Sequence, residues 1–184
     1  MKILKKNKKR LLIAIVLLLI PCIVYVIYYF SYYKPIKDAV VKISFEYAQF
    51  NDAGYMLPNE YQTQPEKMPQ SEIDKLKQSC KNKIDTLFIK DSDCGSQEYI
   101  ICNQLIDDLV AKKFTQVSSI TKLKEIKDFS IKNNVAKVTL IINNIVKSTE
   151  DGAAMSYNTS YTFALIKENE GWKIKDITFR PLGI

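Results

Sequence analysis

Between Leu11 and Phe30 the chain runs for twenty residues without a charged side chain. At ~1.5 Å of rise per residue, a helix of that length measures ~30 Å, the depth of a bilayer's hydrocarbon core. The ten residues before it hold Lys2, Lys5, Lys6, Lys8, Lys9 and Arg10 and no acid. A basic cluster beside a span keeps its own side in the cytoplasm. Beyond the run stand Tyr25, Tyr28, Tyr29, Phe30, Tyr32 and Tyr33. Aromatic rings with a polar tip settle at the membrane–water boundary. The pattern predicts a basic cytoplasmic tail over residues 1–10, a single transmembrane helix with its aromatic boundary over 11–33, and an extracytoplasmic domain over 34–184. The bilayer is then the partner of Leu11–Phe30, in a cell membrane crossed once.

Three other readings of the stretch are weaker. A cleaved signal peptide has a shorter apolar region and small residues at its cleavage site; here the run ends in bulky aromatics. Leu19-Ile20-Pro21-Cys22 faintly resembles a bacterial lipobox, but Pro21 stands where a small residue belongs and the residues after Cys22 stay apolar. A buried helix of a soluble domain does not explain the adjoining basic cluster. Pro21, in mid-span, predicts a modest kink of a kind membranes tolerate.

Charge follows the same division. The chain carries +7. Residues 1–10 supply +6 and residues 11–33 none, which leaves +1 on the domain. Nucleic-acid surfaces need basic side chains concentrated on the domain itself, so no nucleic-acid partner is expected. The sequence has no histidine. This excludes serine or cysteine nucleophiles served by a histidine base, and histidine metal ligands. No cofactor and no metal is expected. Lysine outnumbers arginine 25 to 2, a composition associated with AT-rich, low-GC bacterial genomes.

Past a short stalk at Ser31–Lys34, Pro35 suits the first turn of a helix. Ile36, Val40, Ile43, Tyr47 and Phe50 then recur at spacings of three and four and predict an amphipathic helix. Asn51-Asp52-Ala53-Gly54 stops it. A loop with Pro58, Pro65 and Pro69 spans Tyr55–Gln70, a lid or a mobile connection. Ser71-Glu72-Ile73-Asp74 reads as a variant capping box before a second helix to about Phe88. A turn over Asp91–Gly95 and a cap at Ser96 introduce a third, ending near Phe114.

The period then changes to two. Leu123–Ile131 reads as a strand with a break in it, Asn133-Asn134 as a turn, and Val135–Ser148 as a long strand on which Ala136, Val138, Leu140 and Ile142 share a face. Glu150-Asp151-Gly152 turns the chain. Ser156–Lys167 follows, with Tyr157, Thr159, Tyr161, Phe163 and Leu165 on one face. Glu168–Gly171 closes a hairpin into Trp172–Arg180. Trp172 and Ile174 have the opposite parity to Ile177 and Phe179; if both pairs are buried, a bulge lies near Lys175-Asp176.

The fold class is α+β: an N-terminal transmembrane helix, then three helices packed on a strongly bent antiparallel sheet. Through the helix order, the strand Val135–Ile142, and the ending Tyr161-Thr162-Phe163-Ala164-Leu165-Ile166 with Gly171-Trp172-Lys173-Ile174, residues 35–181 resemble the NTF2-like (cystatin-like) superfamily. The resemblance implies a cone with a pocket at its wide end. Some members are enzymes using an acid, Tyr or His there; no catalytic motif matches here residue by residue, so none is carried over. Behind one span, the domain looks like membrane-anchored scaffold subunits of type IV secretion and Gram-positive conjugation machines. It also looks like the amino-terminal domains of some penicillin-binding proteins, without the transpeptidase domain.

Candidate pocket residues are Tyr55, Tyr61, Tyr99, Tyr157 and Tyr161, with Glu46, Asp107 or Asp108 as a carboxylate whose pKa burial could raise. The plainer reading puts the rings in the core and the acids in solvent. Cys80, Cys94 and Cys102 are three outer thiols: free, or two of them joined in a disulfide. Cys80 and Cys102 sit on apolar helix faces, whereas Cys94 lies near a helix start that favours a thiolate. They lack zinc spacing. Asp107-Asp108 point apart on a helix, which disfavours a shared cation. Asn158-Thr159-Ser160 matches a glycosylation acceptor by pattern only. The leading expectation is a non-enzymatic scaffold or interaction module with membrane or secretion-complex partners and a capacity for homo-oligomers. The alternatives are a small-molecule sensor or carrier and a pocket acid–base enzyme.

Overall fold

The computed structural model describes residues 17–148 and 154–182. The basic tail, the start of the apolar run and the turn Glu150-Asp151-Gly152 lie outside the described residues. The chain divides into two compact units, Met1–Ala39 and Val40–Ile184.

In the first unit residues 17–28 are helical (α1) with most of their apolar side chains exposed. They continue through a π-helical turn, Tyr29–Tyr33, into α2 (Lys34–Ala53). The helical run from Leu17 is long and apolar enough to cross a membrane. The stalk expected at Ser31–Lys34 is therefore helical, and Pro35 does not begin a new helix. A proline inside a helix clashes with the carbonyl four residues back and gives no N–H. The wide turn just before Pro35, where the Lys34 N–H donates to the Tyr29 carbonyl, eases that clash without ending the helix.

The second unit holds most of α2, then α3 (Gln70–Leu87), α4 (Asp93–Val110) and four strands: β1 (Ser118–Lys132), β2 (Val135–Lys147), β3 (Ala154–Glu168) and β4 (Gly171–Pro181). The strands form one antiparallel sheet in chain order. The alternation on β2 holds: Ala136, Val138, Leu140 and Ile142 are buried, opposite Leu165, Phe163, Tyr161 and Thr159 of β3. The bulge is present, although of the two pairs only Trp172 and Ile174 are buried and Phe179 is 66% exposed. Ala164 pairs with Asp176 and Leu165 with Ile174, which leaves Lys175 as the extra residue on β4. The expected break in β1 takes the form of two register shifts, at Leu123/Glu125 and Ile126/Asp128.

Helix starts differ from expectation. Pro69, not Ser71, stands at the N-cap of α3, and no side chain caps it. Pro69 fixes the extended entry, Gln70 takes the first helical position, and its amide donates to Asp74 at 2.8 Å. At α4 the cap is Ser92, whose hydroxyl accepts from the Gly95 N–H at 3.1 Å. The helix thus starts before Ser96 and ends at Val110, short of Phe114. The Tyr55–Gln70 connection is a packed strap with two 3-10 turns, Asn59–Tyr61 and Pro65–Lys67, and it buries Leu57, Pro65 and Met68.

Helices and sheet meet through rings. Tyr47 of α2 stands edge-on to Phe88, Tyr161 and Phe163, with centroids 5.6, 6.3 and 5.7 Å away. Burying a large apolar side chain contributes about 1.5–3 kcal/mol, and Phe88, Phe163, Ile106, Leu140 and Ile174 are all at most 1% exposed. The Ile89 N–H donates to the Ile174 carbonyl at 3.1 Å, tying the end of α3 to β4.

Candidate functional site

The last turn of α2 brings a carboxylate into the interior. Asp52 lies on the same helical face as Ala48 and is 5% exposed. Its Oδ1 accepts from the Asn144 amide of β2 at 3.0 Å and its Oδ2 from the Thr121 hydroxyl of β1. Its backbone carbonyl accepts from the Gln116 amide at 2.6 Å. Gln116 in turn accepts from the Tyr55 hydroxyl at 3.2 Å. Tyr157 hydrogen-bonds to Asn144 from β3. The Tyr161 hydroxyl accepts from the Asn51 amide at 3.1 Å. A second acid, Glu98 of α4, accepts from the Tyr47 hydroxyl at 2.8 Å.

Burial sets the electrostatics. It pushes the Asp52 carboxyl up to about 6, against the opposing pull of the Thr121 hydrogen bond. Burial likewise raises Glu98, which the Tyr47 hydrogen bond partly offsets. The phenols move the same way: burial and the nearby Asp52 push Tyr55 up to about 12, and burial lifts Tyr157 and Tyr161. These phenols are hydrogen-bond partners at neutral pH, not bases. Asp52 has the acidity of a general acid or base near pH 6.

Three of the five tyrosines singled out by sequence, Tyr55, Tyr157 and Tyr161, gather around the end of α2. Tyr61 sits in a 3-10 turn of the strap. Tyr99 lines a cleft of about 340 Å³ between α3 and α4, beside Ile84, Phe88 and Ile100. The acids named with them are elsewhere. Glu46 pairs with Lys83, Asp107 with Lys77 at 2.6 Å, and Asp108 with Lys113 at 2.7 Å. These are surface ion pairs of little energetic weight. A wider cleft of about 650 Å³ lies between the end of α3 and the β3–β4 hairpin, lined by Asp85, Lys90, Glu170 and Lys173 among others. Asp52, Tyr55, Tyr157 and Tyr161 line neither cleft.

In the sequence Asp52 reads as part of a helix stop, and Gln116, Thr121 and Asn144 do not stand out. One signal was available: Asn144 continues the even-numbered buried face of β2, where a polar residue needs a partner.

None of the four cysteines is in a disulfide in this structure. Burial and Glu98 push the Cys94 thiol up, opposite to the thiolate expected at a helix start. Cys80 and Cys102 are buried on facing sides of α3 and α4. Among the described residues no group of three or more His, Cys, Asp or Glu side chains is placed to hold a metal ion. Asn158 lies within β3, half-buried, and accepts from the Asn143 amide at 3.3 Å.

No protein-family model matches the chain, and no curated protein matches it. Solved structures similar to it include a protein of Novosphingobium aromaticivorans provisionally named an aromatic ring hydroxylase, at 16% identity and a TM-score of 0.49 over 82% of this chain and 91% of that one. Another is an NTF2-like superfamily protein of Salmonella enterica, at 14% identity and a TM-score of 0.41 over 60% and 81%. A third is an IcmL-like type IV secretion system protein of Legionella pneumophila, at 10% identity and a TM-score of 0.47 over 80% and 93%. At such distances no activity, ligand or partner transfers to this chain.

Proposed function

We propose that this protein is a membrane-tethered interaction module: an NTF2-like α+β domain held at the outer face of a cell membrane by one N-terminal span, where it binds other membrane or secretion-complex proteins. The observation that carries this reading is the filled interior. Where a binding pocket would open between helices and sheet, Tyr47, Phe88, Tyr161 and Phe163 pack ring against ring. The Asp52 carboxylate is engaged on both oxygens by side chains of its own chain. A group so engaged is already occupied within the fold, and a substrate would have to displace Asn144 or Thr121 to reach it. The helix near the N-terminus and the basic tail before it support the tether and its direction.

The test is crosslinking of the tagged full-length protein in cells, followed by mass spectrometry. Recurrent membrane or secretion proteins are the expected products. Self-crosslinks alone, or none, count against the proposal. One observation favours a second reading, an acid–base enzyme: the raised Asp52 with Tyr157 near it. Were that correct, Asp52→Asn and Tyr157→Phe would abolish turnover of some small substrate while the fold survived. Partner binding unaffected by Asp52→Asn is what the module reading requires.

A further inference from the structure

α3 and α4 are packed against each other with a cysteine from each helix in the seam. Cys80 is 1% exposed and Cys102 is 4% exposed. The Cys80 thiol donates to the Gly54 carbonyl at 3.3 Å, and the Cys102 thiol is hydrogen-bonded to the Cys80 sulfur. A thiol that merely fills a core needs no second thiol beside it. Cys94 has other company: its surroundings are Glu98, Asp176 and the Ile177 backbone. Of the three outer cysteines, Cys80 and Cys102 are the pair joined by a thiol hydrogen bond.

We infer that Cys80 and Cys102 are a structural disulfide site that staples α3 to α4 when the domain matures outside the cytoplasm. The inference rests on the extracytoplasmic placement proposed above, because thiols exposed to the cytosol stay reduced. The oxidant is the disulfide of a thiol–disulfide oxidoreductase. One cysteine, as thiolate, attacks that disulfide and forms a mixed disulfide, releasing one oxidoreductase thiol. The second cysteine then attacks the bound sulfur, the Cys80–Cys102 bond forms, and the other oxidoreductase thiol leaves. The two protein sulfurs give up two electrons and two protons, and the donor disulfide takes them up. Burial of both sulfurs places this step before the seam closes, during folding, and shields the bond from reductants afterwards. Cys94 remains the odd free thiol.

The experiment uses full-length protein in its own membrane. Cells are quenched in acid, and free thiols are capped with a maleimide mass tag under denaturing conditions. In a Cys94→Ser variant only Cys22 should take the tag before reduction, and Cys22, Cys80 and Cys102 after it. The unreduced monomer should be lighter by two hydrogens, and Cys80→Ser or Cys102→Ser should abolish that difference. Closing a loop of about 20 residues also predicts that a reductant lowers the unfolding temperature by roughly 5–10 °C. Location is read separately. Lys132→Cys, in a Cys80→Ser/Cys94→Ser/Cys102→Ser background, should react with a membrane-impermeant maleimide in intact cells. Free Cys80 and Cys102 behind a labelled reporter overturn the disulfide alone. A reporter that reacts only after lysis overturns the placement and the disulfide with it.

Discussion

At Asp52 a single carboxyl ties stability to pH. Its folded pKa lies near 6, above the ~3.9 of an unfolded aspartate. The folded state therefore binds the proton more tightly. The associated stability is fully present below the unfolded pKa and is lost as pH rises through the folded one. A shift of this size corresponds to about 3 kcal/mol between pH 4 and pH 8. Asp52→Asn keeps the shape, accepts from Asn144 through its oxygen and donates to Thr121 through its amide. Urea titrations should show that Asp52→Asn gains stability relative to wild type as pH rises from 4 to 8. A parallel pH dependence in both proteins would show that Asp52 is not the group responsible. Glu98, raised in the same direction, leaves a residual slope in the variant. The cluster was only partly legible in the sequence. Tyr55, Tyr157 and Tyr161 stand out as aromatics, but an acid in an Asn-Asp-Ala-Gly run looks like chain reversal. Only the tertiary packing of α2 on β1 and β2 makes it a buried group.

The strands were the most legible elements, because period-two patterning depends on which face is buried and little on distant partners. The parity conflict in β4 even located its bulge. Lys175 is the residue that reconciles Trp172 and Ile174, buried at 6% and 0%, with Ile177 and Phe179, which lie opposite Phe163 and Tyr161. Deleting Lys175 forces a one-residue slip, so one of these pairs must turn to the other face. Losing the burial of Trp172 and Ile174 should cost about 3 kcal/mol or more, seen as a lower urea midpoint. An unchanged midpoint would mean that the bulge carries no register. Helix starts were less legible because Ser, Asp and Gly crowd residues 91–96 and several of them satisfy a capping rule. The hydrogen bond from the Gly95 N–H to the Ser92 hydroxyl decides among them. Ser92→Ala should therefore cost about 1 kcal/mol, while Ser96→Ala, inside the helix, should change thermal stability by less. Equal effects at the two positions would contradict the cap.

Across the whole molecule, what the sequence made plainest was the apolar run, and what it left least defined was the partner. Both follow from physics. A span must satisfy length and polarity in one contiguous stretch, whereas a binding surface is assembled from residues far apart in the chain and needs no signature of its own. The same contrast governs how the second unit holds together. Its core begins at Val40 and draws on α2, α3, α4 and the sheet; every buried apolar side chain among the described residues lies at Val40 or beyond. The apolar run supplies none of them. A fragment of residues 34–184 keeps all of α2 and should fold by itself, unfolding cooperatively within a few degrees of the same transition in detergent-solubilised full-length protein. Calorimetry on both forms measures this directly. With a net charge near zero on the domain, the fragment should also show no salt-dependent retention on DNA, since counterion release needs clustered cations. Loss of cooperative unfolding in the fragment would mean that residues before Lys34 contribute to the core, and the tether would then be part of the domain's structure as well as its attachment.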